Sequence, residues 1–145
     1  MTKTLRLMAT LTVVMVVTAG CATQDTPPDA LYQDLGKRAG IADMVEDLMY
    51  RIVDDDRIAS RFKGIDVVQF HTNLTDQICE LSGGPCSYRG RPMTEVHEGM
   101  NITETQVNAL AENLVLAMEQ NGVSTGAQNQ LLERLVNLHP QITHR

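Results

Sequence analysis

Two histidines and a pair of cysteines are the residues of this 145-residue chain best placed to do chemistry. His97 stands with Met93, Val96 and Met100 at spacings that put all four on one helical face. An imidazole in such apolar company needs a hydrogen-bond partner or a metal to offset its desolvation. On spacing alone two readings stand, a satisfied core histidine or a ligand. His71 lies roughly 60° from the centre of its helix's apolar stripe, near enough to turn inward or to stay in solvent. His139 and His144 sit at the C-terminal end, where solvated surface positions are expected. Cys79 and Cys86 flank Gly83-Gly84-Pro85, a turn able to swing the second cysteine back beside the end of the helix carrying the first. A structural disulfide is expected, stabilising by about 2.5 kcal/mol for so short a loop, if the Cα atoms come within about 7 Å. Free thiols or a redox switch are the alternatives. The chain has no glycine-rich phosphate loop, no CxxC, no HExxH and no Gly-x-Ser-x-Gly, which removes most familiar catalytic constellations.

The elements that must position these residues read as helices throughout, with no alternating strand pattern. Ile41, Met44, Val45, Leu48 and Ile52 share one face, and Asp54-Asp55-Asp56 ends that helix. Asp66 caps a second helix whose stripe is Val67, Phe70, Leu74, Ile78 and Leu81, stopped by the glycine pair. A long polar loop runs to Arg91, and Pro92 opens a short helix bearing His97. Thr103 with Glu104 starts the next helix, burying Val107, Leu110, Leu114 and Met118. Ser124 or Thr125 leads into a last one with Leu131, Leu132, Leu135 and Leu138 inside, ended by Pro140. The body is all-α, one domain, with no internal repeat.

Composition narrows the partners. The net charge is −6, with 43% hydrophobic and 3% aromatic residues and no Lys/Arg block, so nucleic acid is an unsuitable ligand. Residues 1–20 carry Lys3 and Arg6, an apolar run from Leu7 to Val17 and small residues before Cys21, the pattern of a cleaved secretory signal. Thr18-Ala19-Gly20-Cys21 resembles a bacterial lipobox, which implies acylation of Cys21, with Thr18 a less usual member. Plain secretion and a retained anchor helix are the alternatives. Residues 21–30, with Pro27-Pro28, read as an acylated cysteine and flexible tether before a domain over 31–145. Ala22 rather than Asp after the cysteine implies an outer-membrane destination, so the chain is expected on the periplasmic face of a bacterial membrane, held by its lipid. Without residues 1–20 the balance becomes ten cations against 18 acids, a net charge of −8. Acyl chains at about 0.8 kcal/mol per buried methylene anchor such an acidic body without help from basic residues.

From Leu31 to about Leu138 the chain resembles the group 1 truncated haemoglobins. The likeness rests on Leu31-Tyr32 with Leu35-Gly36, Val45-Glu46-Asp47, Asp55-Asp56 leading to Phe62, Gly83-Gly84-Pro85, and Tyr88-Arg89-Gly90 with Met93 and His97. It implies a two-over-two helical sandwich holding non-covalent haem, with His97 as the proximal iron ligand and Phe62 packed on the porphyrin. A neutral imidazole is a good axial donor. This chain departs from the family at two points. The first glycine pair reads Gly36-Lys37, and the positions where the family places a tyrosine and a glutamine to hydrogen-bond a bound gas hold Met49 and Leu74. Tyr50 does not replace the lost hydroxyl, because it lies opposite the buried stripe. The distal wall is then Met49, Phe70 and Leu74. His71 is the one polar candidate there, as hydrogen-bond donor or sixth iron ligand, with a half-exposed flank position as the alternative. Met93 and Met100 are expected beside the cofactor, and Tyr88 and Arg89 either reach a propionate or stay in solvent.

Three functions follow from the resemblance and its gaps. The first is a globin that ligates oxygen, nitric oxide or carbon monoxide, favouring the last two. The second is a nitric-oxide-detoxifying or peroxidase-like haem enzyme served by an electron donor, with His71 as its acid-base group. The third is a helical lipoprotein that has lost haem and acts as an interaction module.

Overall fold

The computed structural model describes residues 27–143. The segment read as a signal, Cys21, the first residues of the tether and His144 lie outside the described residues. Among those described, no helix is long and apolar enough to cross a membrane. Pro27 already accepts the Ala30 amide in a turn, and helix α1 begins at Ala30 and runs Ala30–Asp34.

Among the described residues the body is all-helical. Helix α2 (Lys37–Asp54) buries Ile41, Met44, Val45, Leu48 and Ile52, the stripe expected from periodicity. Between α1 and α2 the chain turns in the left-handed region, at φ 77 for Gly36 and φ 61 for Lys37, where a side chain is disfavoured. At the other end of α2, Asp55 accepts hydrogen bonds from the Arg57 guanidinium at 2.8 Å and from Asn113 at 2.6 Å. Arg57 also meets Glu112 at 2.6 Å, so the acidic end of α2 is tied to the fifth helix. The Arg57 guanidinium holds the Asp55 carboxyl well below the usual carboxylate range, with Asn113 adding to it.

Helix α3 (Val67–Leu81) starts where expected, with the Asp66 carboxylate accepting the Gln69 amide at 2.9 Å. Val67 corrects the stripe, being 56% exposed. A Cβ on the first turn tilts past the N-terminal end of its helix, so this valine overhangs rather than packs. Four residues, Met93–Val96, make α4. Helix α5 (Glu104–Gln120) opens on a capping box between Thr103 and Gln106. Its most buried face is Ala109, Asn113 and Ala117 with Leu114 and Met118, whereas Val107 and Leu110, expected inside, are only half-buried. Small residues four apart let α5 lie close on α2, which rotates the larger side chains to its flank. Helix α6 (Thr125–Val136) is capped by Ser124 and buries Leu131. Leu132, Leu135 and Leu138 stay half-buried.

The C-terminal end is tied down, correcting the expectation for His139. Its Nε2 meets Glu104 at 2.8 Å, and Ile102 bridges to Thr143, so the last described residues close against the start of α5. Helix α2 forms the back of the fold, packed along both α3 and α5, while α3 and α5 do not pack closely on each other. Helix α4 packs closely on none of them.

Candidate functional site

His97 ends α4 as its C-cap. The Met93 carbonyl accepts both its backbone amide, at 3.1 Å, and its ring Nδ1–H, at 2.8 Å. A carbonyl can only accept, so Nδ1 carries the hydrogen and a neutral ring keeps its lone pair on Nε2. Among the described residues no group bonds Nε2. The sequence left His97 open between a satisfied histidine and a ligand. The structure satisfies one nitrogen, fixes the ring's rotation and leaves the other nitrogen as a donor.

Several apolar side chains on the site's three helices are covered only in part. Met93 and Val96 on α4, Phe70 and Leu74 on α3, and Val107 and Leu110 on α5 are half-buried, and Met100 is 41% exposed. These are the three helices that do not close on one another. The Phe62 and Phe70 rings meet edge to face at 5.4 Å, and both pack against the core together with Met49. With Ile52 they line a mainly apolar groove of about 460 Å3.

His71 lines the same groove, half-buried. Its Nε2–H donates to the Ala42 carbonyl of α2 at 3.0 Å, which places the ring on the α2 side of α3. Tyr50 points outward as expected, its hydroxyl donating to Glu46 at 3.4 Å. Tyr88 is folded back on its own loop, donating from its hydroxyl to the Arg91 carbonyl at 2.8 Å, while burial pushes the phenol's pKa up. Arg89 is exposed.

Cys79 and Cys86 form the expected disulfide, with Cα atoms 5.7 Å apart. The turn between them needs both glycines. Gly83 has φ 87. A Cβ on Gly84 would lie 2.5 Å from the Tyr32 ring and 2.7 Å from the Cys79 sulfur.

Two residues that position this region escaped the sequence reading. Arg61 donates to the Met100 carbonyl at 3.0 Å, and the Glu80 carboxylate accepts the Tyr88 amide at 3.2 Å. Each bond joins an exposed charged side chain to distant or looped backbone, and neither leaves a trace in periodicity.

Residues 30–144 match the family described as bacterial-like globin. A group 1 truncated haemoglobin from Nostoc commune is 31% identical over 79% of this chain and 98% of its own length. One from Tetrahymena pyriformis is 31% identical over 71% of this chain and 85% of that protein. The crystal structure of the Tetrahymena pyriformis truncated haemoglobin in its Fe(III) form superposes with a TM-score of 0.77 at 27% identity, covering 79% of this chain and 98% of that one. The 2/2 haemoglobin from Synechococcus, solved with covalently attached haem, gives 0.69 at 25% identity over 77% and 94%.

The residues present fit haem. One imidazole with a free Nε2, with no cluster of metal-ligating side chains among the described residues, is the donor set of a singly ligated haem iron and not of a structural metal. The chain belongs to the bacterial-like globins, with group 1 truncated haemoglobins as its relatives and haem as the cofactor that membership implies.

Proposed function

We propose that this chain is a haem protein that ligates small diatomic gases, with His97 as the iron ligand and a distal side too apolar to favour oxygen. The observation that carries the reading is the His97 ring, whose Nδ1–H is held by the Met93 carbonyl at 2.8 Å so that Nε2 is presented as a lone-pair donor. Bound haem supplies an iron with an open coordination position where a gas binds. The chain's own residues do the rest. Met93 fixes the tautomer and rotation of the imidazole, as ligand histidines generally require of their outer nitrogen. Phe62 and Phe70 present apolar surface to a flat ring. Met49, Phe70 and Leu74 keep water and hydrogen-bond donors from the gas. Dioxygen acquires partial charge on binding and gains most from a donor, so such a wall disfavours it relative to nitric oxide and carbon monoxide.

Acylation at Cys21 and the periplasmic face of a bacterial membrane, with the outer membrane as destination, complete the proposal. They rest on the sequence pattern of residues 1–22. An enzyme reading with His71 as acid-base group draws no support from a ring committed to Ala42.

Absorption spectra in the ferric, ferrous and carbonmonoxy forms test the haem reading. A Soret band present in the parent and lost or shifted in His97→Ala is the expected result. Folded parent protein that takes up no added hemin refutes it.

A further inference from the structure

The segment Cys86–Asn101 carries His97, yet its helix packs closely on no other. Among the described residues one disulfide and two hydrogen bonds join it to the rest of the fold, besides its apolar packing. The Cys79–Cys86 disulfide holds its start to the end of α3. Two residues later the Glu80 carboxylate accepts the Tyr88 amide at 3.2 Å. At its far end Arg61 donates to the Met100 carbonyl at 3.0 Å. Its remaining hydrogen bonds are internal, as from the Tyr88 hydroxyl to Arg91 and from Arg91 to Glu95.

We propose that the Cys79–Cys86 disulfide, with Glu80 beside it, is a positioning clip for the iron ligand, so that haem retention depends on the oxidation state of this cysteine pair. The proposal rests on the haem reading above. Between α3 and α4 the backbone crosses eleven residues, Ser82–Pro92. The disulfide pins Cys86, leaving six, Ser87–Pro92, between the pin and the helix. Ring-closure probability falls as about the −3/2 power of the free length, so opening the clip lowers the local concentration of the imidazole about 2.5-fold from linker length alone. Loss of the neighbouring Glu80 tie adds to this.

The chemistry is ordinary thiol–disulfide exchange with a dithiol. Cys79 is fully buried and Cys86 half-buried, so the incoming thiolate attacks the Cys86 sulfur. The Cys79–Cys86 bond breaks and Cys79 leaves as a thiolate that takes up a proton. The reagent's second thiol then displaces Cys86 as the other thiol and closes the reagent's own disulfide. Two electrons and two protons have passed to the cysteine pair.

The test is haem transfer from the full-length ferric protein to an excess of apomyoglobin, oxidised and after treatment with dithiothreitol. Reduction is expected to speed haem loss about threefold or more, as is the Cys79→Ser/Cys86→Ser variant, on which the dithiol has no further effect. Glu80→Gln is expected to act weakly while the disulfide is intact and more strongly in the double serine variant. The iron–histidine stretching band of the ferrous protein separates positioning from general weakening. It is expected to broaden or shift on opening the clip and to stay unchanged in Ser124→Ala, which weakens α6 at its cap. In the haem-free chain, amides of residues 87–100 are expected to exchange faster on reduction while those of α2 do not. Equal transfer rates for oxidised and reduced protein, or equal acceleration by dithiol in the variant without this pair, overturn the clip and leave haem binding standing. Absence of any Soret band in the oxidised parent overturns the haem reading and the clip with it.

Discussion

Replacing Met49 by tyrosine is expected to strengthen oxygen binding. Met49 lies half-buried on the flank of α2, packed with Ile52, Phe62 and Phe70 around a groove of about 460 Å3, so the larger ring has room. The polar side chains lining that groove are already engaged, Tyr50 donating to Glu46 and His71 to the Ala42 carbonyl. An introduced phenol would therefore be the first uncommitted donor on that side. A hydrogen bond to a partly charged acceptor contributes about 1.5–3 kcal/mol, and 1.4 kcal/mol is a factor of ten. Oxygen should then dissociate roughly tenfold to 150-fold more slowly from Met49→Tyr than from the parent, whereas carbon monoxide, which draws less charge, changes little. Stopped-flow displacement of dioxygen by carbon monoxide measures the first rate, and displacement of carbon monoxide by nitric oxide the second. An unchanged oxygen rate, or the same slowing for both gases, refutes the reasoning. The first result would show that the α2 flank does not face the bound gas, and the second that the ring merely blocks the exit.

Other perturbations probe the frame. Gly84→Ala drives a methyl into Tyr32 and Cys79, and an overpacked site of this kind costs about 1–3 kcal/mol, lowering Tm by roughly 4–12 °C; a Tm equal to the parent's would mean the turn is not closed as described. Lys37→Gly relieves a left-handed residue at φ 61 and should stabilise by up to about 1 kcal/mol in urea titration, whereas a loss would show that the side chain contributes more than its backbone costs. Asp55 has a folded pKa pushed below its unfolded value, so its contribution is complete above about pH 4 and is lost as pH falls toward the depressed value. Asp55→Asn should therefore be less stable than the parent at pH 7 and converge with it under strong acid, and a constant gap across that range in thermal melts would argue against the Arg57 pairing.

Much of this protein was legible one residue at a time. Caps and stripes are local: Asp66, Thr103 and Ser124 each cap the helix expected of them, because a side-chain oxygen satisfies amides two or three residues on. The α2 stripe is a matter of spacing, and the cysteine pair was readable from the turn between its members. His97 was singled out by its apolar neighbours, while its role came from resemblance. Misreadings fell where side chains answer to partners distant in sequence. Val67 overhangs a helix end, Val107 and Leu110 yield the buried face of α5 to alanines, and His139 finds Glu104.

The sequence alone therefore determined the α2 stripe, the starts of α3, α5 and α6, and which histidine to weigh, and it favoured the disulfide. Helix α4, by contrast, stops at Val96 before Met100, and α6 at Val136 before Pro140. Only the tertiary structure decided which nitrogen that histidine offers, which way His71 turns, and that α3, α4 and α5 do not close on one another. The physical reason is range. Backbone satisfaction and helical periodicity act within a few residues, whereas the direction of a ring and the depth of a groove depend on carbonyls and side chains brought together from elements far apart in the chain.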